Sequence, residues 1–367
     1  MMGKVIIPQT GRYIMSKKIV LTGGGSAGHV TPNLALIPGL SGHGIEVHYI
    51  GTEEGIEHTL VHGVPYHVIE AGKMRRYASA KNISDIFKIF KGYGQAKKIL
   101  RSLRPDLVFA KGGFVSVPVA WAAAKLNIPV ILHESDYTPG LANRLCTKKA
   151  QKICLSFDTR DAHDGKGILT GSPIRGDLLT GDRAAGLEKL GFSGSKPVLL
   201  IMGGSLGAQA INDAVDAGIE ELTKRYSIVH LRGKGKLNPA LDDNPDYRQF
   251  EYVEEGLNDI FAAADLALSR SGANAIFEFL ALKLPALLVP LPLSASRGDQ
   301  ILNANYFQKR GYAKVLEQEN LNRDTLLEAL RDLEAHRQEL VLNMAQSTEA
   351  DGTSNVLNII LESIGVK

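Results

Sequence analysis

Only two cysteines, Cys146 and Cys154, occur in 367 residues. No disulfide framework can be built from one pair in no recognisable spacing, so both read as reduced thiols of a cytosolic protein. Metal-ligand patterns are equally scarce. His58 and His62 lie four apart, as on one helix face, but no third ligand of suitable spacing accompanies them, and no metal site is expected. Long apolar runs are missing too. A bilayer-spanning helix needs about 20 apolar residues, whereas the longest candidate, Phe114 to Ala124, is half that and ends at Lys125. Met1 to Tyr13 lacks the apolar stretch of a secretory signal, and Met15 is an alternative start just ahead of a strand that begins near Lys17. These absences point away from a secreted scaffold, a metalloprotein and an integral membrane protein. They leave a cytosolic protein that can still touch a membrane.

What is present is a globular composition, 44% apolar and 22% charged. The length suggests two domains of about 150–200 residues each. The 38 glycines sit largely in clusters after apolar runs, a loop signal. The net charge of +3 conceals an asymmetry. Up to Thr170 there are 22 Lys+Arg against 12 Asp+Glu, about +10; beyond it, 20 against 27, about −7. A basic first half meets something anionic, and nucleic acid, an acidic lipid surface or a phosphorylated substrate all fit at this stage.

Along the chain the pattern is strand, glycine-rich turn, helix, repeated. Lys18–Thr22, Val47–Ile50, Leu107–Ala110, Val130–His133 and Lys152–Ser156 are short buried-strand candidates separated by helical stretches. Pro32 fits the first turn of the helix after the opening turn. The cycle restarts at Pro197, with Val198–Met202, Ser227–Leu231, Leu266–Ser269, Ala286–Val289 and Ala313–Leu316. Such alternation predicts an α/β protein with two Rossmann-like, doubly wound parallel-sheet domains. A Gly-Ser-Pro break places the linker around Gly171–Asp177, and Arg323 to Ile364 reads as largely helical.

Both first turns are glycine loops. Gly23, Gly25 and Gly28 form G-x-G-x-x-G between a strand and a helix, the setting of a dinucleotide fingerprint. With Glu53 as the ribose acid, an NAD-dependent oxidoreductase is a real competitor. Two features weaken that reading: His29 follows the last glycine where phosphate would sit, and Gly203-Gly204-Ser205-Leu206-Gly207 repeats the loop in the second half. Ser269 to Glu278 adds a strand end, a small-residue turn and a helix start. Backbone donors there suit a diphosphate, and Glu278, flanked by Phe277 and Phe279, suits the two hydroxyls of a ribose. Pro290 to Asn303 delivers Arg297, Asp299 and Gln300 to the same sheet edge.

Thr22–Pro32, Lys111–Phe114, His133–Asp136, Gly171–Arg175, Gly203–Ala208 and Ser269–Glu278, in that order, resemble the loops of the MurG family, the lipid II synthases of the two-domain GT-B fold. The resemblance runs from about Lys17 to the C-terminus. It implies UDP-N-acetylglucosamine as donor, undecaprenyl-diphospho-muramoyl-pentapeptide as acceptor, no cofactor and no nucleic acid. It divides the chain into an extension (1–16), an acceptor- and membrane-side domain (17–170), a donor domain (171–340) and a helical segment packing back on the first domain (341–367). Ser205 and Arg175 would reach the diphosphate, Glu254 would flank uracil, and Ala273, Asn274, Ala275, Ile276, Phe277 and Glu278 would hold phosphate and ribose. Gln300 and the Ser26, Ala27, Gly28 loop would contact the sugar, with Asp136 and Asn143 as further sugar contacts. Family members often carry Asn at the position of Asp136 and Gln at that of Asp299. A UDP-N-acetylglucosamine epimerase of the same fold and a non-catalytic nucleotide-sugar-binding subunit are the other readings.

Transfer with inversion needs a base for the acceptor hydroxyl, and an imidazole has a suitable pKa; His29 is the candidate. Helix N-termini and Arg175 can neutralise the leaving diphosphate. On the acceptor side stand Lys73, Arg75 and Arg76, with Gly112, Gly113 and Phe114. Beyond Lys81 a helix sets Ile86, Phe87, Phe90 and Tyr93 near Lys88, Lys91, Lys97 and Lys98. That suits either the anionic cytoplasmic face of the cell membrane or an ordinary surface helix.

Overall fold

The structure is a computed structural model that describes residues 16–72, 81–204, 207–253 and 255–366. Lys73, Arg75, Arg76, Ser205 and Glu254, and the first 15 residues, lie outside the described residues, as does the side chain of Ile86.

The first sheet contains β1 (Lys18–Thr22), β2 (Glu46–Gly51), β3 (Tyr66–Val68), β4 (Leu107–Ala110), β5 (Val130–Glu134), β6 (Lys152–Leu155) and β7 (Gly167–Leu169). Its helices are α1 (Ala27–Gly42), α2 (Ile56–Leu60), α3 (Lys81–Leu103), α4 (Ser116–Lys125) and α5 (Leu141–Cys146). The second sheet contains β8 (Val198–Met202), β9 (Ser227–Leu231), β10 (Tyr247–Phe250), β11 (Leu266–Ser269), β12 (Ala286–Leu288) and β13 (Ala313–Val315). Around it run α6 (Arg183–Leu190), α7 (Gln209–Ala217), α8 (Ile219–Arg225), α9 (Leu257–Ala263), α10 (Ala273–Leu282), α11 (Asp299–Lys309), α12 (Arg323–Ala335) and α13 (Arg337–Ala345); α14 (Gly352–Ser363) closes the chain.

The strand orders are β3-β2-β1-β4-β5-β6-β7 and β10-β9-β8-β11-β12-β13, and every pair is parallel. Helices on both faces force this arrangement, because central strands such as β4 and β11 bury every residue. In each sheet the order reverses at one point, between β1 and β4 and between β8 and β11. Loops at the carboxyl ends of strands flanking a reversal diverge and leave a crevice. The topology therefore sets Gly23–Gly28 beside Lys111–Gly113, and Gly203 and Gly204 beside Arg270–Gly272.

α1 begins at Ala27, so Pro32 falls in its second turn and not its first. Two apolar clusters cover the two faces of the first sheet, and a third fills the second domain. α13 belongs to that third cluster through Leu340 and Met344, and it runs across position 340. α14 returns to the first domain, where Val356, Ile360 and Leu361 pack with Ile19, Leu36 and Leu40. Burying each such aliphatic side chain stabilises the fold by roughly 1.5–3 kcal/mol.

The chain thus passes between the domains twice, and the passages are tied together. Thr353 Oγ1 receives the Ile174 N–H at 3.0 Å and donates to the Ile174 carbonyl at 2.9 Å. Asn355 Nδ2 donates to the Thr170 carbonyl at 2.9 Å. Gly171, at φ +76°, lies against the backbone of Glu349 with no room for a Cβ. Beside this hinge the ring of Phe157 meets those of Phe277 and Tyr306, with centroids 5.3 and 5.1 Å apart.

Candidate active site

Each domain presents an uncapped helix N-terminus to the cleft. Ser26 is the N-cap residue of α1 and Gly272 that of α10, with neither a side-chain cap bond nor an acidic residue in the first turn. Among the described residues the N–H groups of Ala27 and Gly28 in α1, and of Ala273, Asn274 and Ala275 in α10, have no partner, whereas the His29 N–H is bonded to the Ser26 carbonyl. Each helix dipole adds partial positive charge, a setting for anions. The two ends approach closely: a Cβ on Gly28 would lie 3.6 Å from Asn274 Nδ2.

His29 stands in the first turn of α1. Its Nδ1 is 3.0 Å from the Gly24 carbonyl and 3.1 Å from Ser26 Oγ. A carbonyl only accepts, so the proton belongs on Nδ1, and Nε2 keeps its lone pair. Nε2 faces Gly112, where a Cβ would come within 3.6 Å of it. Burial, reinforced by the Lys111 ammonium, lowers the imidazole pKa to about 4, so His29 is neutral at pH 7 and fit to accept a proton.

Beneath this loop lies a polar shell. Lys111 is buried and donates to Ser135 Oγ; burial, against the pull of Glu134 and Asp136, brings its pKa down to about 8. Glu134 accepts the N–H groups of Ser135, Asp136 and Gly140 at 3.0, 3.3 and 3.0 Å. Asn143 donates from Nδ2 to the His133 carbonyl and to Glu134 at 2.9 and 2.8 Å. Its amide is thereby committed to the shell, and only Oδ1 turns toward Gly112 and His29.

On the other side, Glu278 is half-buried one and a half turns into α10, with no hydrogen bond to any described residue. Burial raises its pKa to about 7; Arg175 works against the rise and Asp177 adds to it. Ile276 and Phe277 turn their side chains into the core. What this turn offers the cleft is the backbone N–H groups of Ala273, Asn274 and Ala275, the Asn274 amide and the Glu278 carboxylate. Gln300 Oε1 accepts the Leu291 N–H at 3.1 Å, which fixes the side chain and leaves its amide N–H groups to face outward. Asp136, Gly272, Arg297, Asp299 and Gln300 border one cavity of about 590 Å³. Asn303, from α11, binds Asp136 across the domains at 3.3 Å. Phe114, Gly25 and Lys88 border a second hollow of about 490 Å³ on the first domain.

One residue of the site escapes sequence reasoning. Glu53, placed by the dinucleotide rule as ribose acid, is exposed, whereas Glu57 is 1% exposed and its Oε2 accepts the Gly25 N–H at 3.0 Å. A donor that a dinucleotide phosphate would need is already bound to a carboxylate, which weighs against the oxidoreductase reading.

Residues 19–155 match the glycosyltransferase family 28 N-terminal domain, and residues 198–357 the C-terminal domain of that family. A protein of Lachnospira eligens called UDP-N-acetylglucosamine–N-acetylmuramyl-(pentapeptide) pyrophosphoryl-undecaprenol N-acetylglucosamine transferase is 53% identical over 95% of this chain and 99% of its own. The chain belongs to the MurG family. A transferase of the same name from Clostridium botulinum is 50% identical over 95% of this chain and 98% of its own. Among solved structures, MurG of Acinetobacter baumannii superposes with a TM-score of 0.72 at 26% identity, over 94% of this chain and 99% of its own. A UDP-N-acetylglucosamine 2-epimerase shares only the fold, with a TM-score of 0.64 at 13% identity over 95% of this chain and 96% of its own. The expected GT-B architecture of two facing parallel-sheet domains is therefore the fold of this family member.

Proposed function

We propose that this protein transfers N-acetylglucosamine from UDP-N-acetylglucosamine to the 4-hydroxyl of an undecaprenyl-diphospho-muramoyl-pentapeptide, with inversion at C1 and His29 as general base. The observation that carries the roles is the facing pair: an imidazole lone pair on one helix start, and an uncapped helix start with a ribose-ready carboxylate on the other. The acceptor hydroxyl attacks C1 as its proton passes to His29 Nε2. The C1–O bond to the diphosphate breaks, and UDP departs carrying the electron pair. The N–H groups of Ala273 to Ala275, and Arg175, stabilise the developing charge. Glu278 accepts the ribose hydroxyls, and Gln300 donates to the sugar. The reaction belongs at a membrane surface, where Phe87 and Phe90, 70% and 66% exposed on α3, stand beside exposed Lys88 and Lys98.

The test is to incubate the purified protein with radiolabelled UDP-N-acetylglucosamine and a lipid-linked muramoyl acceptor. A labelled lipid-linked disaccharide is expected, with or without chelator. Label appearing only as free sugar or as an epimerised nucleotide sugar would overturn the reading.

A further inference from the structure

The groups that hold His29 from behind extend one step beyond its own hydrogen bond. The Gly24 carbonyl that receives the His29 Nδ1 proton and the Gly25 N–H that Glu57 accepts belong to one peptide unit. Glu57 is locked in turn: its Oε1 receives the Thr52 N–H at 3.1 Å and the Thr52 Oγ1–H at 2.6 Å. Tyr66 holds the Thr52 carbonyl at 2.7 Å. A Cβ on Gly24 or Gly55 would lie 2.4 or 2.1 Å from the Glu57 carboxyl group, so both glycines exist to let the carboxylate reach the loop.

We infer that Glu57 is a positioning residue for the transfer reaction, acting through the Gly24–Gly25 peptide to fix the ring orientation and tautomer of His29. A carboxylate accepting a peptide N–H polarises that peptide, and its carbonyl becomes a stronger acceptor for the imidazole N–H. The result is a carboxylate–imidazole pair with a peptide bond between its members. A directly bonded carboxylate does the same for the histidine of a hydrolase triad. Two other described groups act on the ring: Lys111, which opposes its protonation, and the Ser26 hydroxyl.

This inference rests on His29 being the base, but its test reads the two separately. Long-range proton–nitrogen NMR at pH 7.5, on protein saturated with UDP, reports which imidazole nitrogen carries the proton. In the wild type His29 should show the Nδ1–H form alone. In Glu57→Gln, where charge is lost but size is kept, a mixture of the two tautomers is expected. kcat should fall roughly tenfold to a hundredfold with the donor KM within about twofold, and Glu57→Asp should recover part of the loss. Thr52→Val, which removes the hydroxyl donor to Oε1 and leaves the backbone N–H on it, should shift the tautomers the same way to a smaller degree and keeps the test open if Glu57→Gln folds poorly. An unmixed Nδ1–H signal in variants that still bind UDP would overturn the inference, as would a loss confined to KM. If the tautomers mix while kcat stays unchanged, the positioning stands and the general-base reading of His29 fails.

Discussion

His29 titrates near 4 and Glu278 near 7, and this gap separates their contributions. His29 is held near 4 by burial and Lys111, so between pH 6 and 8 it stays unprotonated and contributes no slope. Glu278 is lifted to about 7 by burial. Ribose hydroxyls donate to the ionised form, so donor binding favours the carboxylate and releases a proton where the free enzyme still holds one. UDP affinity should therefore tighten as pH rises from 6 to 8 and level off above, as isothermal titration would show. Glu278→Gln should flatten that dependence, and Glu278→Ala should raise the donor KM strongly. An unchanged profile in Glu278→Gln would remove this carboxylate from the donor site. His29→Ala should lower kcat by about 10²–10⁴-fold with UDP affinity nearly intact. The acid limb of kcat in the wild type, read at saturating donor so that Glu278 does not enter, should lie near pH 4, below the usual imidazole range, and vanish in the variant. A His29→Ala enzyme keeping more than about a tenth of wild-type kcat would exclude the general-base role.

Among the elements, the glycine turns and α3 make the sharpest demands. Gly113 adopts φ +80°, and a Cβ there would come 2.1 Å from the Gly24 carbonyl, the one that orients His29. Gly113→Ala should cost about 1–3 kcal/mol in thermal or urea unfolding and depress kcat as well. Gly42→Ala, at the end of α1 with open space around it, should be neutral or stabilising by up to about 1 kcal/mol. On α3, Lys91 is ion-paired with Glu70, so Lys88 and Lys98 are the charges to reverse. Phe87→Ser with Phe90→Ser should abolish most co-sedimentation with anionic vesicles and spare activity on a soluble acceptor analogue; undiminished co-sedimentation would make α3 an ordinary surface helix. Strands buried on both faces were legible as apolar runs, from β1 to β12. The three unread ones, β3, β7 and β10, are edge strands, short and half-covered, whose pairing partners and not their own side chains make them strands. Glu57 stayed hidden for a related reason. In sequence it is one carboxylate among several after a turn, and its partner at Gly25 comes within reach only when β2 pairs beside β1.

The whole molecule is two sheets joined by a double passage, Gly171–Gly176 out and Gln346–Asp351 back, bridged at Thr353. Donor and acceptor groups on separate domains call for closure around the substrates. A doubled and bonded hinge restricts the ways in which the domains can swing. Thr353→Val, which breaks both bonds to Ile174, should loosen the hinge and raise KM for both substrates together, with UDP-dependent compaction in small-angle scattering reduced. Unaltered scattering and kinetics would show that the bridge is dispensable. The return of α14 has a consequence in time. Its apolar residues complete a face of the first core, yet about 180 residues are synthesised between Thr170 and Gly352. At roughly 5–20 residues per second, the first domain waits some 10–35 seconds with one flank open, at the point in its life when it is most exposed to chaperones and proteases. A nascent chain stalled before α14 should thus be protease-sensitive across its first domain. Supplying residues 346–366 as a separate peptide should restore protection.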